Sequence, residues 1–360
     1  MTDSHPPDPP AELPPELHAE LHPQLLRELL LASSRTFALG IERLREPLRS
    51  EVRLAYLLLR VSDYLEDSPL VEPGEKAELL DLWDAVLAGE ARVEDLADRL
   101  HTEDEVDLPD ARVAGEVVAV HSAISSLDPA AREIVVRYVQ ESTRGMARWT
   151  RRGPDFADMT DLDDYMHEVA GRVGYLLTEL FGLRDPALRS ASPELLPLGR
   201  SFGLGLQTVN VIRGLHSDHL RGWLFIPRSL LGTGEATTGA TTAGTTGATG
   251  SIDVDIFDPA QGPLRQSVLD RLADDATRHL DDAMDYLTRV PRRHADIRLF
   301  CALPVFYAER TLALTRSEAD AAFFREIKMT RSDVRSIARK TAVGVRSNTA
   351  LRWIGRRLRG

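Results

Sequence analysis

The sequence predicts an all-α protein in which many helices surround one shared core. From Leu17 onward, apolar residues in nearly every segment recur at the three- and four-residue spacing of helices, and no segment shows the alternation typical of a strand. Hydrophobic residues make up 43% of the 360 residues, which is ample for a large core. Two of the predicted helices also carry polar residues in a single stripe, and this feature bears on function.

The predicted elements begin with a Pro-rich leader over residues 1–16, which we expect to be disordered. A first long helix follows, with Pro23 near its start, where proline is tolerated. Further helices are predicted over residues 48–67, 75–88, 111–126, 129–148, 161–183, 194–218, 262–289, 295–315 and 330–355. We therefore assign residues 17–330 to one all-α domain and residues 331–360 to a C-terminal tail.

One segment breaks the helical pattern. Residues 232–251 consist almost entirely of glycine, threonine and alanine. Such a segment cannot bury enough apolar area to offset the entropy lost on ordering it. We interpret it as a flexible surface insertion, either a neutral low-complexity segment or a mobile flap near the mouth of a cavity.

The charge distribution restricts the class of partner. The formal net charge is −12, which argues against a nucleic-acid binder. Residues 331–360 carry nine Lys and Arg residues against one acid, Asp333, so this tail has a charge of +8 and the rest of the chain −20. Apolar residues lie among the arginines of the tail. We expect it either to contact an anionic membrane surface or to pack as a basic helix on the acidic body.

The sequence also indicates a compartment. Cys301 is the only cysteine, so an intrachain disulfide is impossible, which fits a reducing cytosol. The N-terminus has no basic segment followed by an apolar run, so no signal peptide is predicted. No apolar stretch approaches the ~20 residues of a membrane-spanning helix. We expect a cytoplasmic protein, with peripheral contact to the inner membrane face if the tail binds lipid.

The first polar stripe lies on the helix predicted over residues 48–67. Arg60, Asp63 and Asp67 occupy offsets 0, 3 and 7, which places them on one side of a helix. Leucine and valine flank them, so the helix is predicted to be largely buried. A buried carboxylate is costly unless a cation satisfies it. Glu66 lies off the stripe by one helical step of about 100°.

The second stripe lies on the helix predicted over residues 194–218. Gln207, Asn210, Gly214 and Asp218 occupy offsets 0, 3, 7 and 11. Hard oxygen ligands suit magnesium, which in turn suits phosphate oxygens. The two stripes together predict a chain that holds a diphosphate through metal ions inside a helical cavity.

Five motifs in chain order extend this interpretation. They are Ser34-Arg35-Thr36-Phe37; residues 56–67 (YLLLRVSDYLED); residues 165–174 (YMHEVAGRVG); residues 206–218, followed by Gly222 and Pro227; and residues 300–312 (FCALPVFYAERTL), followed by residues 328–331 (KMTR). Together they resemble the motifs of the squalene/phytoene synthase family, the head-to-head prenyl diphosphate synthases. The last motif resembles the squalene branch in particular.

The resemblance implies a fold and an activity. The family's fold is an all-α isoprenoid synthase bundle with a central cavity. Its squalene branch condenses two farnesyl diphosphates through presqualene diphosphate to squalene. The cofactors implied are magnesium, as three ions with the bound diphosphate, and NADPH for the reductive step. Metals and basic residues stabilise the leaving pyrophosphate, while apolar walls shelter the carbocation from water.

The resemblance also implies roles for residues of this chain. The metal ligands implied are Asp63, Glu66, Asp67, Asn210 and Asp218. Contacts to the diphosphate or to the reacting carbons are implied for Ser34, Arg35, Arg60, Tyr165, Gln207 and Arg213, of which Arg35, Arg60 and Tyr165 are the candidate catalytic residues. Core packing is the other interpretation of Tyr165. Lys328 and Arg331 match the basic pair associated with the NADPH phosphate, or they simply begin the basic tail.

The chain departs from the family pattern at several positions. Gly214 replaces an aspartate, although Asn210, Gly214 and Asp218 keep the i, i+4, i+8 spacing of the metal triad of class I terpene cyclases. In some of those cyclases the middle residue is glycine and a water completes the site. Trp223 replaces an arginine, for which Arg221 is a possible substitute.

Two further departures lie in the fifth motif, where Glu309 and Arg310 replace apolar residues. If Arg310 faced the cavity, the product would not be squalene. These departures keep two alternatives open. One is a terpene synthase that ionises a prenyl diphosphate without hydride transfer, and the other is a non-catalytic isoprenoid diphosphate-binding protein.

Overall fold

The computed structural model describes residues 15–105, 109–232 and 255–359. These residues form α-helices, short 3₁₀ turns and one π-helical turn, and no β-strand occurs in the ranges described. The prediction of an all-α fold is therefore confirmed. Most of the predicted leader and all but the first residue of the predicted insertion lie outside the described residues.

The α-helices of the described ranges are, in chain order, α1 (Pro15–Ser33), α2 (Arg35–Ile41), α3 (Leu48–Asp67), α4 (Pro73–Ala88), α5 (Val93–Ala97), α6 (Pro109–Gly115), α7 (Val117–Ser122), α8 (Pro129–Arg152), α9 (Met159–Met166), α10 (Arg172–Arg184), α11 (Pro186–Ser190), α12 (Ser192–Leu220), α13 (Gly262–Arg289), α14 (Ala295–Ser317), α15 (Ala319–Ala322), α16 (Arg331–Gly344) and α17 (Asn348–Arg359). The 3₁₀ turns are Thr102–Glu105, Ala123–Ser126, Arg228–Leu230 and Pro259–Gln261. None of these helices has the length and apolar content needed to cross a membrane.

Three predicted helices differ from the structure in their continuity. The segment 111–126 divides at Glu116, whose backbone leaves the helical region (φ −105°, ψ 24°). The segment 161–183 contains a π-helical turn at His167–Gly171 between α9 and α10. The segment 330–355 divides after Gly344, because the hydroxyl of Ser347 accepts a hydrogen bond from the Ala350 N–H and so caps a new helix, α17.

The first helix also differs from the prediction. α1 begins at Pro15, so Pro23 lies inside the helix and not near its start. Its buried residues, Leu29 and Leu30, join the main apolar core. The amphipathic second half of the helix is thereby anchored by packing, which commonly outweighs local propensity.

The core is organised around two long helices. α12 packs against α10, α13 and α14, whereas α3 packs against α4, α6 and α8. One large apolar cluster joins α3, α4, α8, α10 and α14, and a second joins α9, α12 and α13. α3 and α12 carry the two polar stripes, so the fold holds both stripes in rigid, buried helices.

Small residues bring α10 and the π-helical turn unusually close to α12. A Cβ atom on Gly174 would lie 1.9 Å from the carbonyl oxygen of Gly199, and one on Gly203 would lie 2.2 Å from the carbonyl oxygen of Ala170. No side chain fits at such distances from a neighbouring backbone. These glycines therefore set the spacing of the helices that enclose the cavity.

The tail forms α16 and α17, which both pack on α14. Leu351 and Ile354 of α17 are buried. Arg359 donates hydrogen bonds to the buried carboxylate of Glu309 at 2.7 and 2.5 Å, and Arg352 pairs with Asp285 at 3.0 Å. The apolar side of α17 thus packs inside the molecule, and some of its arginines form intramolecular ion pairs.

Candidate active site

A cavity of about 180 Å³ lies between α3, α10, α12, α14 and the π-helical turn. Most of its lining is apolar, and many of the lining side chains are large. The charged and amide members are Arg60, Asp63, Gln207 and Asn210, which follow the apolar lining residues along α3 and α12. Four residues predicted from the two stripes therefore line one cavity. The apolar lining residues include Phe37, Val169, Leu177, Phe202, Leu206 and Phe300.

Arg60 is the cation of this lining. Its guanidinium pairs with Asp63 at 2.5 Å and with Asp110 at 3.2 Å. It also lies over the ring of Tyr56, 5.3 Å from the centroid. The Asp63 contact was expected from the i, i+3 spacing. Asp110 comes from α6 and was not predicted, because nothing in the local sequence shows which helix meets α3.

Asp63 and Glu66 form the buried part of the first acidic motif. Burial, together with the charges of Asp110 and Asp67, raises the pKa of Asp63 to about 7, although Arg60 opposes this shift. Burial also raises the pKa of Glu66 well above its usual range, and Asp67 and Asp63 add to this effect. The Oε1 atom of Glu66 has no hydrogen-bond partner among the described residues.

Tyr165 lies against the first acidic motif. Its hydroxyl donates to Glu66 Oε2 at 3.5 Å, and burial beside Glu66 raises the pKa of this hydroxyl well above its usual range. The ring lies in an aromatic cluster, with centroids 5.2 Å from Phe225 and 5.9 Å from Trp149. Tyr165 therefore has both a core-packing role and a polar contact in the site.

Arg221 joins the two acidic motifs. Its guanidinium pairs with Asp67 of α3 at 3.5 Å and with Asp218 of α12 at 2.5 Å. Burial lowers the pKa of Lys76, and the carboxylates of Asp67 and Glu66 act against this shift. Lys76 was not predicted. It comes from α4, and its part in the site depends on how α4 packs beside α3.

The second motif keeps its polar stripe. Asn210 Nδ2 donates to Gln207 Oε1 at 3.3 Å. A Cβ atom on Gly214 would lie 2.7 Å from Asp218 Oδ2, so the glycine leaves space that the Asp218 carboxylate uses. Burial raises the pKa of Asp218, while Arg221 opposes the shift. The glycine that replaces the family's aspartate at position 214 thus makes room for the carboxylate of Asp218.

The donor set fits magnesium. Carboxylate oxygens from α3 and α12 lie close enough to share Arg221, and the side-chain oxygens of Gln207 and Asn210 line the adjoining cavity. Magnesium prefers oxygen ligands of this kind. The Oε1 atom of Glu66 is buried without a hydrogen-bond partner in the described ranges, and a cation would satisfy it.

None of the other predicted site residues whose side chains are described lines the cavity. The Ser34 hydroxyl accepts a hydrogen bond from the Phe37 N–H at 3.1 Å and caps α2, and the side chain of Arg35 lies outside what the structure describes. Arg213 and Lys328 both pair with Glu326, at 3.7 and 2.7 Å.

The residues expected to bind NADPH do not form a phosphate-binding pocket among themselves. The side chain of Lys328 is 71% exposed and paired with an acid, and Arg331 is exposed at the start of α16. Neither residue lines the cavity. Lys328 and Arg331 thus form no pocket for the cofactor phosphate by themselves, and their role in NADPH binding stays a prediction.

The other departures from the family pattern are explained by packing. Arg310 pairs with Asp333 at 3.3 Å and does not line the cavity. Glu309 is buried against Arg359. Trp223 packs on Phe225, with ring centroids 5.5 Å apart. The condition under which Arg310 would exclude a squalene product is therefore not met.

Comparison with known sequences places this geometry in a family. The profile of the Squalene/phytoene synthase family matches residues 30–333. A squalene synthase of Botryococcus braunii is 29% identical over 295 residues, which is 80% of this chain and 57% of that protein. The squalene synthase of Saccharomyces cerevisiae is 28% identical over 293 residues, which is 80% of this chain and 60% of that protein. The chain thus spans less than two thirds of the length of these relatives.

Solved structures share the fold. The structure of TcSQS in complex with a ligand has a TM-score of 0.72 at 23% identity, over 94% of this chain and 91% of the other. A dehydrosqualene synthase complex has a TM-score of 0.59 at 16% identity, over 92% of this chain and 99% of the other. At these identities the similarity concerns the fold alone. Because the family profile covers most of its length, the chain belongs to the squalene/phytoene synthase family.

Proposed function

We propose that this protein is a squalene synthase-type prenyltransferase. It condenses two farnesyl diphosphates head to head through presqualene diphosphate to squalene, with magnesium and with NADPH as reductant. The observation that carries the proposal is one apolar cavity whose polar lining comes from both acidic motifs. Family membership supports the same class of reaction.

The polar end of the cavity, together with the acidic residues beside it, suits a diphosphate. Asp63, Glu66 and Asp67 on α3, with Asn210 and Asp218 on α12, are the proposed magnesium ligands. Bound magnesium supplies the positive charge that stabilises the departing diphosphate. The cations of the chain act in the same direction. Arg60 and Arg221 are proposed to contact phosphate oxygens, and each already pairs with acidic side chains of the site.

The apolar part of the cavity suits the prenyl chains. Aromatic and aliphatic side chains line the space between α3, α10 and α12. Such a wall excludes water, which would otherwise quench a carbocation. Gly174 and Gly199, where α10 and α12 approach closely, also line this space. The same features would also serve a terpene synthase, so the cavity alone does not separate the two reactions.

Gly214 and Trp223 favour the terpene synthase alternative, which would ionise a prenyl diphosphate and release a product without hydride. Arg310 gives it no support, because it pairs with Asp333 outside the cavity lining. The third alternative, a non-catalytic diphosphate-binding protein, is less consistent with the site. Asp63, Asp67 and Asp218 all remain and are joined through cationic side chains.

We also propose peripheral contact between the tail and an anionic membrane on the cytoplasmic side. Trp353 is 49% exposed and Val343 is 86% exposed. Arg357 lies over the Trp353 ring at 5.4 Å, so an aromatic side chain and a cation are presented together. This combination suits an interfacial helix.

The test is incubation of purified protein with farnesyl diphosphate and magnesium, with and without NADPH, followed by gas chromatography and mass spectrometry of the hexane extract. Squalene that appears only with NADPH supports the proposal. A hydrocarbon or alcohol formed regardless of NADPH supports the terpene synthase. The Asp63→Asn/Asp67→Asn variant should be inactive in either case. If neither farnesyl nor geranylgeranyl diphosphate is consumed, the result supports the non-catalytic alternative. The next variant to assay is then Gly214→Asp, which restores the aspartate of the family motif.

A further inference from the structure

A second group of ligating side chains lies outside the two acidic motifs. Asp163 on α9 and the pair Asp275 and His279 on α13 bring one ligand atom each to within 4.8 Å of one another. None of the three lines the cavity. We propose that they form a site for one divalent first-row transition-metal ion, separate from the magnesium and diphosphate site.

The hydrogen bonds of His279 leave one ring nitrogen directed at the carboxylates. The hydroxyl of Ser201 donates to Asp282 Oδ2 at 2.6 Å, and the same hydroxyl lies 2.6 Å from His279 Nδ1. A hydroxyl has one proton, and a carboxylate only accepts. The proton between Ser201 and His279 therefore belongs to Nδ1, so Nε2 carries the lone pair. Metal-binding histidines typically donate their other ring N–H to such a partner, which fixes the tautomer.

The carboxylates present acceptors to the same point. His279 Nε2 lies 3.5 Å from Asp275 Oδ2. Asp275 is only 8% exposed, and its Oδ2 has no hydrogen-bond partner in the described ranges. Asp163 Oδ1 is likewise without such a partner there. Apart from the guanidinium of Arg278, no donor to these three acceptor atoms occurs in the described ranges, and a cation satisfies such an arrangement.

Arg278 is the competitor for this position. Its guanidinium donates to Asp275 Oδ1 and lies 3.3 Å from His279 Nε2. Its side chain is 60% exposed, so it can leave the cluster for solvent at little cost. The site therefore alternates between an arginine and a metal ion. One imidazole with two carboxylates suits zinc, manganese or iron better than magnesium.

A metal ion at this site would connect helices that are separate in the sequence. Asp163 lies two residues before Tyr165, and Ser201 belongs to α12. A bound ion would therefore join α9 to α13 and, through Ser201, to α12. These are the helices that build the second apolar cluster around Tyr165.

The test is calorimetric titration of zinc into the full-length protein, free of phosphate and magnesium. The background is Asp63→Asn/Asp67→Asn, which removes two carboxylates of the other site. We expect one bound equivalent. His279→Gln should lower the affinity at least tenfold, and Ser201→Ala should lower it by about 10- to 100-fold. Asp274→Asn, an exposed neighbour on the same helix, is the matched control and should change nothing.

Arg278→Ala removes the competing guanidinium and should strengthen zinc binding. Because this variant removes an exposed side chain, we expect it to fold. It therefore still tests the zinc site if circular dichroism shows that His279→Gln is unfolded. The proposal is overturned if zinc does not bind saturably. It is also overturned if the affinity is unchanged in a folded His279→Gln, or if Arg278→Ala leaves zinc binding as it was.

Discussion

Asp63 is subject to opposing influences, since burial raises the pKa of its carboxyl group while Arg60 lowers it. The folded-state pKa of about 7 lies above the unfolded value of about 3.9. The contribution of this group to stability is therefore fully present below pH ~4 and is lost as the pH rises to ~7. In metal-free protein, Asp63→Asn should thus become more stable relative to wild type across this range, by a few kcal/mol.

Urea unfolding at several pH values, with chelator present, measures this difference. Asp274→Asn is the control, because that carboxylate is 71% exposed and lies away from the site. Parallel stability curves for wild type and Asp63→Asn would show that Asp63 titrates normally, and the buried-carboxylate interpretation would then be wrong.

Arg221 is the residue through which the two acidic motifs meet. We expect Arg221→Ala to lower kcat/KM for the prenyl diphosphate by about 10- to 100-fold, because a charge-assisted contact of about 1.5–3 kcal/mol is lost. Steady-state kinetics with farnesyl diphosphate gives the value. The double variant Arg221→Ala/Trp223→Arg restores an arginine at the position where the family carries it, and it should recover part of the loss.

Arg228→Ala is a control with the same loss of charge a few residues further along the chain, since Arg228 pairs with the exposed Asp155. Equal losses in Arg221→Ala and Arg228→Ala would mean that the effect is one of general charge and not of a contact to the diphosphate.

At the scale of helices, the contact between α10 and α12 depends on glycine. A Cβ on Gly174 would lie 1.9 Å from a backbone oxygen, which cannot move away alone. Gly174→Ala should therefore lower the free energy of unfolding by about 1–3 kcal/mol or more, as overpacking does. Gly74→Ala in α4 is the matched control, because a Cβ there meets nothing within 4 Å.

Chemical denaturation of both glycine variants provides the comparison. Gly74→Ala should be neutral or slightly stabilising, since alanine favours helices over glycine by about 1 kcal/mol. A Gly174→Ala protein as stable as wild type would show that α10 and α12 can separate, and the cavity wall would then be less rigid than the structure indicates.

At the scale of the whole molecule, the charge is divided between an acidic body and a basic tail. We expect the protein to sediment with vesicles rich in anionic lipid and to release as salt rises, since screening acts within about 10 Å at 0.1 M. Arg356→Glu/Arg357→Glu should weaken this binding, while Arg352→Ala, which alters a side chain paired with Asp285, should weaken it less.

Vesicles of neutral lipid are the control for this experiment. If binding is the same to neutral and anionic vesicles, or if the charge-reversed variant still sediments, the tail acts only as a pair of helices packed on α14.

The tertiary structure decided which helices supply the partners of the predicted site residues. Asp110 of α6 pairs with Arg60, Asp67 acts on the pKa of Lys76 of α4, and Arg310 pairs with Asp333 outside the cavity lining. No periodicity records these contacts, because they depend on how distant helices pack. The breaks at Glu116 and at the π-helical turn are decided in the same way.

Spacing along the chain was enough to predict the all-α class and the two polar stripes, and the structure places Arg60, Asp63, Gln207 and Asn210 in one cavity lining. This was possible because the spacing of residues along one helix sets which side chains share a side. Only the folded chain could show that the two stripes meet through Arg221, since that contact joins α3 and α12 across more than 150 residues. Local geometry follows from local sequence, whereas contacts between helices follow from burial of the whole core.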